Sequence, residues 1–95
     1  MNLQQMEYII AVEQHRHFGK AAAACFVTQP TLSMMIQKLE DELGIAIFER
    51  SGKRFTGVTE PGKVVLRIAE RILSEAENLK RASAEFATGA TGRMV

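Results

Sequence analysis

Thr28-Gln29-Pro30-Thr31-Leu32-Ser33-Met34-Met35-Ile36-Gln37-Lys38-Leu39 is the stretch whose reading decides the fold. Thr28 is a hydroxyl N-cap, and Pro30 follows in the first turn, where a missing N–H costs nothing. Leu32, Ile36, Leu39 and Leu43 recur at spacings of 4, 3 and 4, one narrow apolar stripe of a helix that Gly44 then terminates. Opposite the stripe lie Pro30, Ser33, Met34, Gln37 and Asp41, flanked by Gln29 and Lys38. Amides and hydroxyls occupy the first two turns, whereas the acids Glu40, Asp41 and Glu42 arrive only in the last. That order suits a helix entering a DNA major groove by its N-terminus. Amides pair two-pronged with adenine, hydroxyls reach bases or phosphates, and the positive helix end faces phosphate. A solvated polar face has a similar composition, so the helix alone leaves both readings open.

Upstream, four consecutive alanines from Ala21 to Ala24 predict a short helix over 20–25 whose small side chains allow close approach. Only Phe26 and Val27 separate it from Thr28, the connection of a helix-turn-helix. The first helix is predicted from a capping box, Asn2 with Gln5, and a staple of Met1 on Met6. Its apolar face reads Leu3, Met6, Ile9, Ile10 and Val12, and it fades over 14–17.

Downstream, Ile45-Ala46-Ile47-Phe48 is a short apolar segment, 49–53 a polar turn containing Gly52, and 54–58 a returning strand: a hairpin wing. Arg50, Lys53 and Arg54 place three cations within five residues. Beside a recognition helix they are read as contacts to phosphates or a minor groove. Thr59 then caps a helix with Glu60 and Pro61 in its first turn. The pattern runs from Lys63 to about Ala87, roughly 25 residues or ~38 Å. Its apolar stripe is Val65, Ile68, Ala69, Ile72, Ala76, Leu79 and Phe86, longer than the preceding chain can cover. Antiparallel pairing with the same helix of a second copy is the closed solution. Periodicity is lost over 88–95, read as a hinge to a regulatory domain outside this sequence.

The chain has 95 residues, 46% hydrophobic and 24% charged, with a net charge of +1, so any basic surface comes from placement rather than excess. One cysteine, Cys25, excludes an internal disulfide and a multi-thiolate metal site. No apolar run reaches the ~20 residues of a membrane span, and the start lacks the basic and apolar regions of a signal peptide. A soluble cytoplasmic protein is expected, without contact to membranes. Glu13, His15 and His17 do not share a helix face, so no metal is assigned. No nucleophile–base set, carboxylate pair or phosphate loop is present, so neither an enzyme nor a cofactor is expected.

The motifs His17-Phe18-x-x-Ala21-Ala22, Val27-Thr28-Gln29-Pro30-Thr31-Leu32-Ser33, Ile36-x-x-Leu39-Glu40-x-Glu42-Leu43-Gly44, Phe48-Glu49-Arg50 and Thr59-x-x-Gly62 are similar in type and spacing to the N-terminal domain of LysR-type transcriptional regulators. The resemblance covers residues 1–92 and extends to the peroxide-responsive branch. It implies a mainly α fold: a winged helix-turn-helix over 1–58 with a two-stranded wing, a dimerisation helix over 59–87 and a hinge over 88–95. It implies a homodimer on an interrupted inverted repeat of double-stranded DNA, and a tetramer in the full-length protein. RNA polymerase becomes a candidate partner of an activator, and peroxide sensing would use a cysteine pair in the absent domain. By motif, Gln29, Pro30, Thr31 and Ser33 meet bases, with Met34 and Gln37 on the same face. Thr28, Lys38, Arg50, Lys53 and Arg54 serve the backbone.

Four residues at three places depart from the family pattern. Met34 and Met35 replace a polar or basic residue and Gln, leaving Met34 contact with a thymine methyl. Phe26 stands where a residue tolerant of positive φ is preferred, so either the turn differs or ring packing offsets the strain. Gly19 replaces a hydroxyl cap on the second helix. Three rival readings stand beside this one. They are a LysR-type regulator of another effector, a self-contained winged-helix redox repressor sensing through Cys25, and a protein-interaction module built on the long helix.

Overall fold

Asn2 opens the first helix, α1 (Leu3–His15), with the full capping box: its side chain accepts from Gln5 N–H while Gln5 Oε1 accepts from Asn2 N–H. The computed structural model describes residues 1–89. α1 is followed by α2 (Phe18–Ala24), α3 (Gln29–Leu43), β1 (Phe48–Ser51), β2 (Arg54–Val58) and α4 (Glu60–Ala84), then a π turn over Glu85–Gly89. This is the mainly α winged helix-turn-helix expected from the sequence. The hinge read over 88–95 falls almost entirely outside the described residues.

The core gathers Ile9 and Val12 of α1, Phe18, Ala21 and Ala22 of α2, the Leu32–Ile36–Leu39 stripe of α3, and Ile47, Phe48, Leu66 and Ala69. Leu3 is exposed rather than apolar-face core, because it sits at the first helical position, ahead of the packed turns. Tyr8 and Ala11 are buried in addition.

Two helix ends use the left-handed conformation without glycine. Arg16 (φ 51°) closes α1, its N–H donating to Val12 O at 2.7 Å. Phe26 (φ 60°) closes α2: Val27 N–H reaches back to Ala22 O at 3.0 Å, a bond that only the left-handed residue permits. The positive φ expected at this turn is present, but the Phe26 ring is 94% exposed, so ring packing does not offset the strain. α2 begins at Phe18, two residues before the expected start, because His17 is its cap and its Nδ1 accepts from Lys20 N–H at 2.9 Å. Gly19 is thus not the cap. It is the second residue of the helix, where a Cβ would come within 2.9 Å of the His17 imidazole.

The strands pair antiparallel, Phe48↔Val58 to Ser51↔Arg54, with a bulge between Glu49 and Arg50. Residues 49–51, expected in the turn, belong to β1. The connection is only Gly52-Lys53, with Gly52 at φ 63° in the position that two-residue hairpins reserve for glycine.

α4 is held by its first turn. Thr59 N–H donates to Ile47 O at 3.0 Å, Thr59 Oγ1 donates to Ala46 O at 2.6 Å, and Gly62 N–H donates to Thr59 Oγ1 at 2.9 Å. The helix therefore lies so close that a Cβ on Gly62 would stand 2.2 Å from Ile47 O. Gly62, Leu66 and Ala69 are buried and Leu73 half-buried against the core. Leu66 and Leu73 lie outside the stripe read from the sequence. Ala69, assigned there to a partner chain, is instead covered by its own chain. Ile68, Ile72 and Leu79 are exposed.

Gly62→Ala should therefore cost about 2–3 kcal/mol, since the clash is with backbone that cannot step aside. Thermal unfolding should fall by roughly 10 °C or more. An unchanged melting temperature would show that α4 does not depend on this approach.

Candidate nucleic-acid interface

Thr28 caps α3, and Gln29, Pro30, Thr31 and Ser33 lie in its first turns. Thr28 Oγ1 accepts from Thr31 N–H at 3.3 Å and donates to Thr31 Oγ1 at 3.0 Å, so the cap fixes both hydroxyls. Pro30, Thr31, Met34, Gln37 and Lys38 are exposed, and Gln29 and Ser33 half-buried. The carboxamide of Gln37 is engaged along the helix, Nε2 donating to Asp41 Oδ1 at 2.9 Å.

The wing is set against this helix by Glu40, a side chain read from the sequence as a late acid on the helix end. It is only 6% exposed. Its Oε2 accepts from Ile47 N–H at 2.7 Å and Phe48 N–H at 3.3 Å, and its Oε1 from Arg50 Nη2 at 3.0 Å. Its backbone carbonyl accepts from Gly44 N–H and Ile45 N–H. One residue thus satisfies most of the backbone donors along the α3–β1 connection. Its place was legible: four after Ile36 and one after Leu39, it shares the buried face.

Arg50 turns inward from the wing. Besides the Glu40 bond, its guanidinium lies 4.7 Å from the Phe18 ring centroid. Phe18, Phe48 and Phe55 form a tilted and edge-on cluster with centroids 5.8–6.2 Å apart. Arg16 caps that cluster at 4.9 Å from Phe55. Lys53 and Arg54 are the exposed cations at the tip.

Two clefts result. One, of about 300 Å³, lies between α3 and the wing and is lined by Gln29, Pro30, Ser33, Arg50, Gly52 and Lys53. The other, of about 330 Å³, joins Gln29 to Arg16, His17, Lys53 and Arg54. Arg16 is the cation that sequence reasoning passed over. The signal for it was the run His15-Arg16-His17 just before α2.

Cys25 is half-buried and packs against the core. Burial, with a smaller contribution from the Glu7 carboxylate, raises its thiol above the ordinary range. A protonated thiol is a poor nucleophile, which weighs against Cys25 as a sensor. Among the described residues no group of His, Cys, Asp and Glu is arranged to hold a metal. Among the same described residues no helix is long and apolar enough to cross a membrane.

A helix-turn-helix whose second helix shares a basic cleft with a two-stranded wing is a winged-helix DNA-binding domain. Residues 3–63 match the bacterial regulatory helix-turn-helix protein, lysR family, and the chain belongs to that family. It is 45% identical over 96 residues to the transcriptional regulator SsuR of Burkholderia cenocepacia, covering 100% of this chain and 31% of SsuR. It is 47% identical over 93 residues to the regulator cbl of Escherichia coli K12, covering 97% of this chain and 29% of cbl. The chain therefore spans about 30% of the length of such relatives. Among solved structures, a full-length OxyR variant from Pseudomonas aeruginosa is 38% identical with a TM-score of 0.82, over 92% of this chain and 31% of that one. The BenM DNA-binding domain in complex with benA site 1 DNA is 34% identical with a TM-score of 0.86, over 94% and 99%. The family and these relatives are transcriptional regulators.

Two outcomes test the geometry. Glu40→Ala should cost about 3 kcal/mol, because Arg50 and two backbone donors lose their acceptor together, whereas Glu40→Gln should cost less. Denaturant titration that finds Glu40→Ala as stable as the parent would remove the carboxylate from this role. Alkylation of Cys25 by iodoacetamide should be slower than that of free cysteine at pH 8. Its rise with pH should be displaced upward, since the raised thiol ionises later. Fast labelling near neutrality would restore the sensor reading.

Proposed function

We propose that this chain binds operator DNA as a homodimer, with α3 in the major groove and the wing on the adjacent backbone. The cleft between Gln29, Pro30 and Ser33 on one side and Gly52 and Lys53 on the other carries the reading, because it brings amide, hydroxyl and cation to one face. Gln29, Pro30, Thr31 and Ser33 read bases, and Gln37 does so once it releases Asp41. Thr28, Lys38, Lys53 and Arg54 hold phosphates, joined by Arg16. Arg50 contributes mainly by holding the wing, its charge being matched by Glu40.

Dimerisation through α4 is supported by the exposed Ile68, Ile72 and Leu79. An open apolar groove of about 200 Å³ where α1, α3 and α4 meet, lined by Met1, Met6, Leu43 and Val65 among others, adds to it. Ala76 and Phe86 extend the same interface, and pairing of dimers gives the tetramer of the full-length regulator. Such a regulator acts in the cytoplasm, with RNA polymerase as partner when it activates. Two effector readings follow. The motif resemblance and the OxyR likeness support a peroxide response. The higher identities to SsuR and cbl favour a regulator of another effector.

Binding titrations separate the roles. Gln29→Ala should lose about 1–3 kcal/mol of discrimination between a selected operator and a scrambled duplex. Arg54→Ala should weaken both duplexes alike and lower the salt slope by about one. Equal losses on both sequences for Gln29→Ala would sink its readout role. Sedimentation of Leu79→Glu should show more monomer than the parent, and an unaltered distribution would exclude α4 as the seam.

A further inference from the structure

Most polar groups along the outward face of α3 are already committed. The Thr28 and Thr31 hydroxyls bond to each other at 3.0 Å, and Gln37 bonds to Asp41 at 2.9 Å. Gln29 and Ser33 line the cleft beneath the wing. Between the two bonded pairs stands Met34, 52% exposed, one turn after Pro30 and Thr31 and one turn before Gln37 and Lys38. The centre of the face offered to DNA is therefore apolar, with Pro30 and Met34 one turn apart.

A thioether donates no hydrogen bond and accepts only weakly, so it cannot answer the N6, N7, O6 or N4 groups of a base edge. The one apolar feature presented in the major groove is the methyl at C5 of thymine. We propose that Met34 is a specificity-determining residue that reads the C5-methyl group of a pyrimidine, one per half-site. The inference rests on α3 entering the major groove, as proposed above. Thymine and 5-methylcytosine both carry this group, and uracil and cytosine lack it.

The full chain is used to select a duplex from a random library at low salt, and each thymine is then replaced singly by deoxyuridine, which removes only the methyl. At one position per half-site the exchange should cost the parent about fourfold in affinity, the worth of one methyl-sized group taken out of water. Met34→Ser should lose a similar factor on the thymine duplex and bind the two duplexes equally. Met34→Leu, still apolar, should keep the discrimination. At the same position, 5-methylcytosine paired with guanine should bind the parent more tightly than cytosine does, and Met34→Ser should not distinguish them. The side chain is exposed, so equal melting temperatures for parent and variants verify that folding is not the cause. Discrimination that survives Met34→Ser, or a selected duplex on which no thymine-to-uracil exchange matters, overturns the role of Met34 and leaves groove binding standing. Failure to select any duplex overturns groove binding and Met34 together.

Discussion

The Glu40 carboxylate sets the distance between the two halves of the DNA-facing surface. A buried charge is tolerated only when its lone pairs are filled, and here two backbone N–H groups of the Ile47–Phe48 step and the Arg50 guanidinium fill them. The consequence is geometric. The end of α3 and the start of β1 cannot move apart without stranding a carboxylate, and Arg50 carries the restraint on to Phe18 of α2. The recognition helix, the helix that supports it and the wing are thereby tied through one residue. A binding surface built from two elements needs such a tie, because phosphate spacing along a duplex does not adapt to a wandering wing.

The same logic operates at the start of α4. Thr59 caps the helix and also donates to the carbonyls of the segment that Glu40 holds from the other side. Ile47 is thus gripped through its N–H by Glu40 and through its carbonyl by Thr59. Gly62 allows the approach. α4 then leaves the domain with one face spent on Leu66, Ala69 and Leu73, and an adjacent face carrying Ile68, Ile72 and Leu79. A helix that serves its own core and a second surface needs a wider apolar arc than either alone. For that reason simple periodicity merged the two and assigned Ala69 to the wrong one.

The elements that stop and start helices were the legible part of the fold. Asn2, Thr28, Pro30, Gly44 and Thr59 act through their own backbone chemistry, which a neighbour rarely overrides. Residues whose role depends on a distant partner were read poorly. Glu40 resembled a surface acid because the backbone N–H groups that donate to it lie seven and eight positions on. His17 is an unusual cap, recognisable only when Gly19 leaves room for its ring. Within the candidate site, the order of amides, hydroxyls and cations was visible along the chain. The inward turn of Arg50 was not, since it requires knowing that a carboxylate and an aromatic face wait beneath the wing.

A net charge of +1 is modest for a DNA-binding chain, and the arrangement explains how it suffices. Of the acids nearest the recognition helix, Glu40 is neutralised internally, Glu42 pairs with the N-terminal amine at 2.7 Å, and Asp41 is engaged by Gln37. All three sit in the last turn, away from the end offered to phosphate. Three exposed cations, Arg16, Lys53 and Arg54, converge on Gln29 at the opposite end. In the binding mode proposed above, affinity would depend on few phosphate contacts rather than on a broad basic field, and a larger share of recognition would come from base edges. The same economy explains why Glu40 matters more than its single charge suggests. With so few cations at the tip, displacing the wing by an ångström or two would forfeit much of the backbone contact at once.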